Sequence, residues 1–126
     1  MALARPGRRV ACVIGDGSMM YSVQALWTAV QHRLPLAVVV LDNGGYGAMR
    51  SFSRVLGVAG APGIELPGLD FLALAQGMGY PGVRVERAAE LDGALEAAFG
   101  AEGPMLVAVA LDAAIPTLYH TSRPTR

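Results

Sequence analysis

Four short apolar runs alternate with segments of helical spacing along this chain. The runs 9–15, 36–41 and 105–111 are almost continuously apolar, and 83–85 is a weaker one. Such runs are typical of strands in a parallel sheet, because helices cover both faces of that kind of sheet. The pattern therefore predicts four buried strands.

Between these runs, apolar residues recur at intervals that fit helices. One face of the first predicted helix carries residues at i, i+3, i+4 and i+7, namely Val23, Leu26, Trp27 and Val30. Helices are predicted over 21–33, 48–54, 71–78 and 90–99. Asp70 directly precedes the third of them and is a preferred N-cap residue. The glycine- and proline-rich stretch 56–69 is expected to be a loop.

The alternation of strand and helix predicts an α/β fold, a three-layer Rossmann-like arrangement with helices on both faces of a parallel sheet. The 126 residues suit a single domain, with a loosely ordered tail from about 112 to 126. Four strands make a small sheet, which leaves at least one apolar edge to be covered. Because the chain opens almost directly into a strand, we expect the domain to be incomplete on its N-terminal side.

Two glycine-rich turns, 15–18 and 42–47, follow the first two predicted strands. In an open parallel sheet, ligands bind at the carboxyl ends of the strands. Gly15 and Gly17 allow a ligand to approach the backbone closely, and the start of the next helix offers free N–H groups. These are the ingredients of a phosphate site.

The carboxylate of Asp16 changes that interpretation, because it repels a phosphate unless a cation lies between them. Asn43 in the second turn offers an amide oxygen, and the glycines offer carbonyls. Hard oxygen ligands together with phosphate oxygens suit Mg²⁺. On spacing alone, a metal-bridged diphosphate site and two ordinary turns both remain open.

Composition excludes several kinds of function. Ten basic residues balance ten acidic ones, so charge gives no reason to expect nucleic acid or a membrane as a partner. The chain has no lysine, which excludes a Schiff-base lysine and a phosphate-loop lysine. The single cysteine, Cys12, cannot form an internal disulfide, and no apolar run is long enough to span a bilayer. A cytoplasmic location fits these features.

The two turns resemble the signature of thiamin-diphosphate-dependent enzymes, a Gly-Asp-Gly followed after a spacer by an asparagine pair. Here Gly15-Asp16-Gly17 is followed by Asn43, which lies 27 residues after Asp16. The likeness extends from about Val10 to Val109, and within the family it is strongest to benzoylformate decarboxylases. The segments that carry it are 15–18, 21–22, 25–29, 43–44, 46–48, 62–63 and 66–71.

The resemblance implies two cofactors, thiamin diphosphate and Mg²⁺. The metal ligands would be the side chains of Asp16 and Asn43 and the backbone carbonyl of Gly45. The residues expected to contact the cofactor are Gly15, Gly17, Ser18, Tyr21, Asn43, Gly45, Tyr46 and Gly47. Met49 and Phe52 fall where the family has its substrate pocket, although packing in the core is the alternative for both.

Two positions depart from the family pattern. Asp42 replaces the first asparagine of the pair, and its charge is expected to alter the strength of metal binding. Gly45 replaces a larger residue, which is harmless if only its carbonyl is used. The resemblance places the catalytic residues in an N-terminal domain, so none is expected in this chain. A pyrimidine-binding domain of the same or another chain would be the partner.

By resemblance, the expected activity is the non-oxidative decarboxylation of an aromatic 2-oxoacid by a homo-oligomeric enzyme. A first alternative is the corresponding domain of an acetolactate-synthase-like carboligase. A second is a non-catalytic fragment that binds the cofactor weakly or only packs against other chains. Pocket residues outside this chain would decide between the decarboxylase and the carboligase, and activity with an added N-terminal domain would distinguish the decarboxylase from the fragment.

Overall fold

The computed structural model describes residues 2–5, 7–58 and 60–114. The part of the predicted loose tail from 115 to 126 therefore lies outside the described residues. The strands are β1 (Val10–Gly15), β2 (Leu36–Asp42), β3 (Gly82–Val85) and β4 (Met105–Ala110). The helices are α1 (Asp16–Met19), α2 (Ala25–Gln31), α3 (Gly47–Leu56), α4 (Phe71–Gly77) and α5 (Leu91–Gly100).

The four strands form one parallel sheet in the order β1-β2-β4-β3. β1 and β2 are neighbours, and their register places Gly15 opposite Leu41. The turns that follow these two strands therefore leave the sheet side by side. The α/β class and the parallel sheet are confirmed.

Two apolar cores lie on opposite faces of the sheet. Alternate residues of β2 divide between them, because successive side chains of a strand point to opposite faces. Val38 and Val40 belong to the core shared with α1, α2 and α4, whereas Ala37 and Val39 belong to the core shared with α5. This arrangement confirms the three layers.

Tyr80 anchors the larger core just before β3. Its side chain is fully buried, and its hydroxyl donates a hydrogen bond of 2.7 Å to the carbonyl of Leu36. Burial raises the pKa of Tyr80, since the charged phenolate would lose its hydration there. The Asp70 carboxylate accepts from the amides of Leu72 and Ala73, which confirms the predicted N-cap of α4.

β1 lies at an edge of the sheet, and part of it is uncovered. Val13 is 64% exposed, whereas Val39 beside it in the register is 6% exposed. The expected apolar edge is therefore present. Trp27 was predicted on the buried face of its helix, but it is 55% exposed while Leu26 is 3% exposed. Helical spacing groups residues on one side of a helix, and the described elements do not cover the part of that side where Trp27 lies.

Two local predictions were wrong. The segment predicted as a plain turn at 15–18 contains the short helix α1, and the helix predicted from Tyr21 becomes regular only at Ala25. Between them the chain turns through successive i→i+3 hydrogen bonds, such as Ser22 N–H to the Met19 carbonyl at 3.1 Å. These short bonds tighten the backbone and delay the start of α2.

Candidate functional site

An open cleft of about 470 Å³ lies at the carboxyl ends of β1 and β2. That volume falls within the range of about 300–1,000 Å³ that is common for small-molecule sites. Its walls consist of Gly15, Asp16, Gly17, Ser18, Tyr21, Leu41, Asn43, Gly45, Tyr46, Gly47, Ala48, Met49 and Leu111. All residues predicted to bind cofactor or metal are therefore brought together. Phe52 is 39% exposed and is not among the lining residues.

Asp16 joins the two turns of the cleft. Its side chain is buried, with the residue only 3% exposed. Oδ1 accepts from the Gly17 amide at 2.7 Å, and Oδ2 accepts from the Gly45 amide at 2.7 Å. Each oxygen of a carboxylate has two acceptor positions, so each keeps one for another ligand.

Asn43 carries the feature that is hardest to explain by packing alone. Its Oδ1 atom is buried and has no hydrogen-bond partner within the described part of the chain. A buried acceptor without a partner costs about 1–3 kcal/mol. An oxygen that binds a cation is expected to be in this state, and Asn43 shares the cleft with the buried Asp16 carboxylate.

The aromatic ring of Tyr46 explains why position 17 is glycine. A Cβ atom at Gly17 would lie 2.6 Å from Cδ1 of Tyr46, which is too close for any real contact. At Gly15, by contrast, a Cβ would meet nothing within 4 Å. Gly17 thus allows the two turns to pack together, and Gly15 leaves the mouth of the cleft open. The Tyr46 ring also lies 6.2 Å from that of Tyr21, measured between centroids.

Arg50 is a residue of the site region that the sequence did not indicate. It lies in the first turn of α3 and forms an ion pair with Glu65, and only 12% of its side chain is exposed. The hydrogen bond to Glu65 raises the pKa of Arg50, and the same bond lowers the pKa of Glu65. The two residues come from a helix and a loop 15 positions apart, so no local pattern could reveal the pair.

The carboxylate of Asp42 contacts the Gly44 amide and the Arg84 guanidinium. Its Oδ1 accepts from the Gly44 amide at 3.2 Å, and its Oδ2 lies 3.8 Å from the Arg84 guanidinium. Asp42 is not one of the residues that line the cleft. The same guanidinium also lies 3.9 Å from Asp70 and 3.4 Å from Glu86, so it offsets the charge of Asp42 only in part. The expected effect of Asp42 on metal binding stays a prediction.

Within residues 2–5, 7–58 and 60–114, no group of three or more histidine, cysteine, aspartate or glutamate side chains could hold a metal ion. A cation in the cleft would therefore need amide, carbonyl or ligand oxygens besides Asp16. Among the helices of the described chain, none combines the length and the apolar character that a bilayer span requires.

Residues 1–109 match the family described as "Thiamine pyrophosphate enzyme, C-terminal TPP binding domain". The chain is 48% identical over 107 residues to benzoylformate decarboxylase of Pseudomonas aeruginosa, a match that covers 85% of this chain and 20% of that protein. It is 35% identical over 111 residues to the large subunit of acetolactate synthase isozyme 2 of Escherichia coli, covering 87% of this chain and 20% of that protein.

Among solved structures, the fold is similar to the thiamine diphosphate-dependent 4-hydroxybenzoylformate decarboxylase of Rhodococcus jostii. The TM-score is 0.85 at 40% identity, and the match covers 92% of this chain and 22% of that one. The chain spans about a fifth of the length of the curated relatives it matches.

Proposed function

Because this chain belongs to the family of C-terminal, thiamine-pyrophosphate-binding domains, we propose that its cleft holds the diphosphate of thiamin diphosphate through a shared Mg²⁺ ion. The observation that supports this most directly is the buried Oδ1 of Asn43, which has no partner in the described part of the chain and lies in the same cleft as the buried carboxylate of Asp16.

A cation is needed because the site otherwise sets a carboxylate beside an anionic ligand. Two like unit charges 4 Å apart repel by about 4 kcal/mol at an effective dielectric constant of 20. Mg²⁺ binds carboxylate, amide and phosphate oxygens in octahedral geometry and usually retains phosphates or water among its ligands. One carboxylate and one amide oxygen suit such a shared ion, and the described residues offer no all-protein metal cluster.

In this proposal, Asp16 and Asn43 provide side-chain ligands, and Gly45 provides its backbone carbonyl. The diphosphate lies against Gly15, Gly17, Ser18, Tyr46 and Gly47, all of which line the cleft. Tyr21 packs near Tyr46 at the mouth and shapes the space for the rings of the cofactor.

The whole enzyme, in our proposal, decarboxylates an aromatic 2-oxoacid without oxidation. When bound, the thiazolium of the cofactor supplies the carbon that attacks the 2-oxoacid and the ring that accepts the electrons. The residues of this chain hold the diphosphate end of the cofactor. This fixes the orientation of the cofactor before the reaction and so lowers the entropy cost of the reaction. Met49 lines the cleft, and it and Phe52 on the same helix are proposed to border the substrate.

The acid–base residues belong to a pyrimidine-binding domain of the same or another chain. We place this single C-terminal domain in a cytoplasmic homo-oligomer. The similarity to an acetolactate synthase favours one alternative, a carboligase acting on aliphatic 2-oxoacids. Both reactions use the same cofactor anchor, so the cleft is proposed to act in the same way in either enzyme.

Isothermal titration calorimetry of the chain with thiamin diphosphate tests the anchor. Binding is expected with Mg²⁺ and is expected to be lost with a chelator, and thiamin without its diphosphate should not bind. Equal affinity with and without Mg²⁺ would overturn the metal-bridged site. A chain reconstituted with a pyrimidine-binding domain and given a panel of 2-oxoacids then separates the activities: release of CO₂ from benzoylformate supports a decarboxylase, and acetolactate formed from pyruvate supports the carboligase. If neither product forms, the result supports a non-catalytic fragment.

A further inference from the structure

Arg50 links the metal turn to a distant loop. Its Nη1 donates to the carbonyl of Asn43 at 3.0 Å, and its Nη2 donates to the carbonyl of Gly44 at 2.7 Å. Its Nε donates to Glu65 Oε1 at 3.0 Å, and Nη2 also bonds to Oε2 of the same carboxylate. The guanidinium is thus held on one side by Glu65 and binds two successive carbonyls on the other.

We propose that Arg50, oriented by Glu65, is a positioning residue that holds the turn 43–45 in the shape that binds Mg²⁺. The inference rests on the proposed function of the cleft. It assigns to Arg50 no contact with cofactor or substrate; the arginine acts through the backbone of the residues that supply the ligands.

Planar peptides transmit this effect. The Gly44 carbonyl and the Gly45 amide belong to one trans peptide unit, so they point in opposite directions. Arg50 and the Leu66 amide bind that carbonyl, at 2.7 Å and 3.0 Å. The Gly45 amide on the other side of the plane donates to Asp16 at 2.7 Å. Fixing the carbonyl therefore aims the amide at the proposed metal ligand.

The preceding peptide is held in the same way. Arg50 binds the Asn43 carbonyl, and the Gly44 amide of that peptide unit donates to Asp42 Oδ1 at 3.2 Å. The backbone that carries the Asn43 side chain is thereby fixed on both sides. Its amide oxygen stays in the cleft although no group of the described residues bonds to it.

Position 45 must be small for this arrangement. A Cβ atom at Gly45 would lie 2.5 Å from Arg50 Nη2 and 2.6 Å from the Ile64 carbonyl oxygen. The backbone carbonyl of Ile64 alone excludes a side chain at this position, and the glycine, a departure from the family pattern, also leaves room for the Arg50 guanidinium.

Two simpler roles for Arg50 need to be separated from positioning. In the first, its positive charge attracts the diphosphate, and Arg50→Lys would retain that effect. In the second, it only stabilises the fold, and its loss would lower the unfolding temperature without changing the need for Mg²⁺. A lysine amine cannot span two carbonyls and a carboxylate as the planar fork of arginine does.

The test measures the Mg²⁺ concentration that half-saturates thiamin diphosphate binding, at a temperature where every variant is folded. Arg50→Ala and Arg50→Lys are both expected to raise it about tenfold, equivalent to about 1.4 kcal/mol, and Glu65→Gln about threefold. The control is Arg87→Ala, which removes another arginine–glutamate pair on a loop after β3, two strands away from β2. Arg87→Ala should leave the half-saturating Mg²⁺ concentration at the wild-type value.

A wild-type value for Arg50→Lys, or an equal shift in the Arg87→Ala control, would overturn the proposal. Should Arg50→Ala fail to fold, the lysine variant and Glu65→Gln still decide. If the wild-type chain itself shows no Mg²⁺-dependent binding, the proposed function fails and this inference fails with it. Binding by the wild type that Arg50 variants leave unchanged would refute only the positioning role.

Discussion

Replacing Asp16 with asparagine removes a charge while it keeps the size of the side chain. The substitution is expected to abolish the stabilisation that Mg²⁺ and thiamin diphosphate give to the chain. The reason is that a neutral amide neither attracts the cation nor offsets its charge beside the diphosphate. It also leaves one of the two amides that now bond to the carboxylate, those of Gly17 and Gly45, without an acceptor.

The size of the effect follows from linkage between binding and folding. A ligand at 100 times its dissociation constant stabilises the folded state by about 2.7 kcal/mol. The entropy of unfolding is about 2.1 cal/mol/K per residue, or roughly 0.26 kcal/mol/K for 126 residues. The wild-type midpoint should therefore rise by about 10 °C on adding both ligands. Asp16→Asn should show almost none of this rise, and without ligand it should be less stable by about 1.5–3 kcal/mol because a charge-assisted hydrogen bond is lost.

Differential scanning calorimetry with and without the two ligands measures both quantities. Asp70→Asn is the matched control, because Asp70 also accepts from two backbone amides but caps α4 outside the cleft. Asparagine caps helices about as well as aspartate, so the control should keep its stability and the full rise of about 10 °C. A rise in Asp16→Asn equal to that of the wild type would refute the reasoning.

Three further substitutions probe separate parts of the structure. Asn43→Leu should lose the ligand-induced rise in the unfolding temperature. In urea without ligand it should be as stable as wild type or up to about 1 kcal/mol more stable, because the buried Oδ1 that it removes has no partner among the described residues; a variant less stable than wild type would contradict this. Tyr80→Phe should cost about 1 kcal/mol in urea unfolding. Because burial raises the pKa of Tyr80 in the folded state, the free energy of unfolding of the wild type is at its full value below about pH 10 and falls as the pH rises beyond that. The free energy of the variant should fall less over the same range. Equal falls in the two proteins would argue against this role of Tyr80. Phe52→Ala should leave cofactor affinity within about twofold and change the preference between aromatic and aliphatic 2-oxoacids in the reconstituted enzyme; an unchanged preference would exclude Phe52 from the substrate pocket.

Much of the fold could be predicted because its signals are local. The valine-rich run of β2 is apolar on both faces, since helices cover both sides of the sheet. Asp70 caps α4 through bonds to residues two and three positions ahead. Asp16 and Asn43 follow strands that pair side by side, so the rule for open parallel sheets was enough to bring them to one cleft.

The remaining features depend on contacts between distant residues. The pairing of Arg50 with Glu65 and the bond from Gly45 to Asp16 have no periodic pattern in the sequence. No local pattern shows either that the Tyr46 ring packs against Gly17 and leaves no room for a Cβ atom there. The exposure of Trp27 could not be predicted either, because spacing along a helix shows which residues share a side and not what packs against them.

The hydrogen bond between Gly45 and Asp16 also has a consequence for rates. The bond that joins the two turns is made by protein atoms alone and needs no ion, so we expect no loop closure to precede the binding of Mg²⁺. Mg²⁺ gives up its water molecules reluctantly. In the proposed site, the speed of cofactor uptake should therefore be set by the exchange of water on the metal and not by movement of the protein.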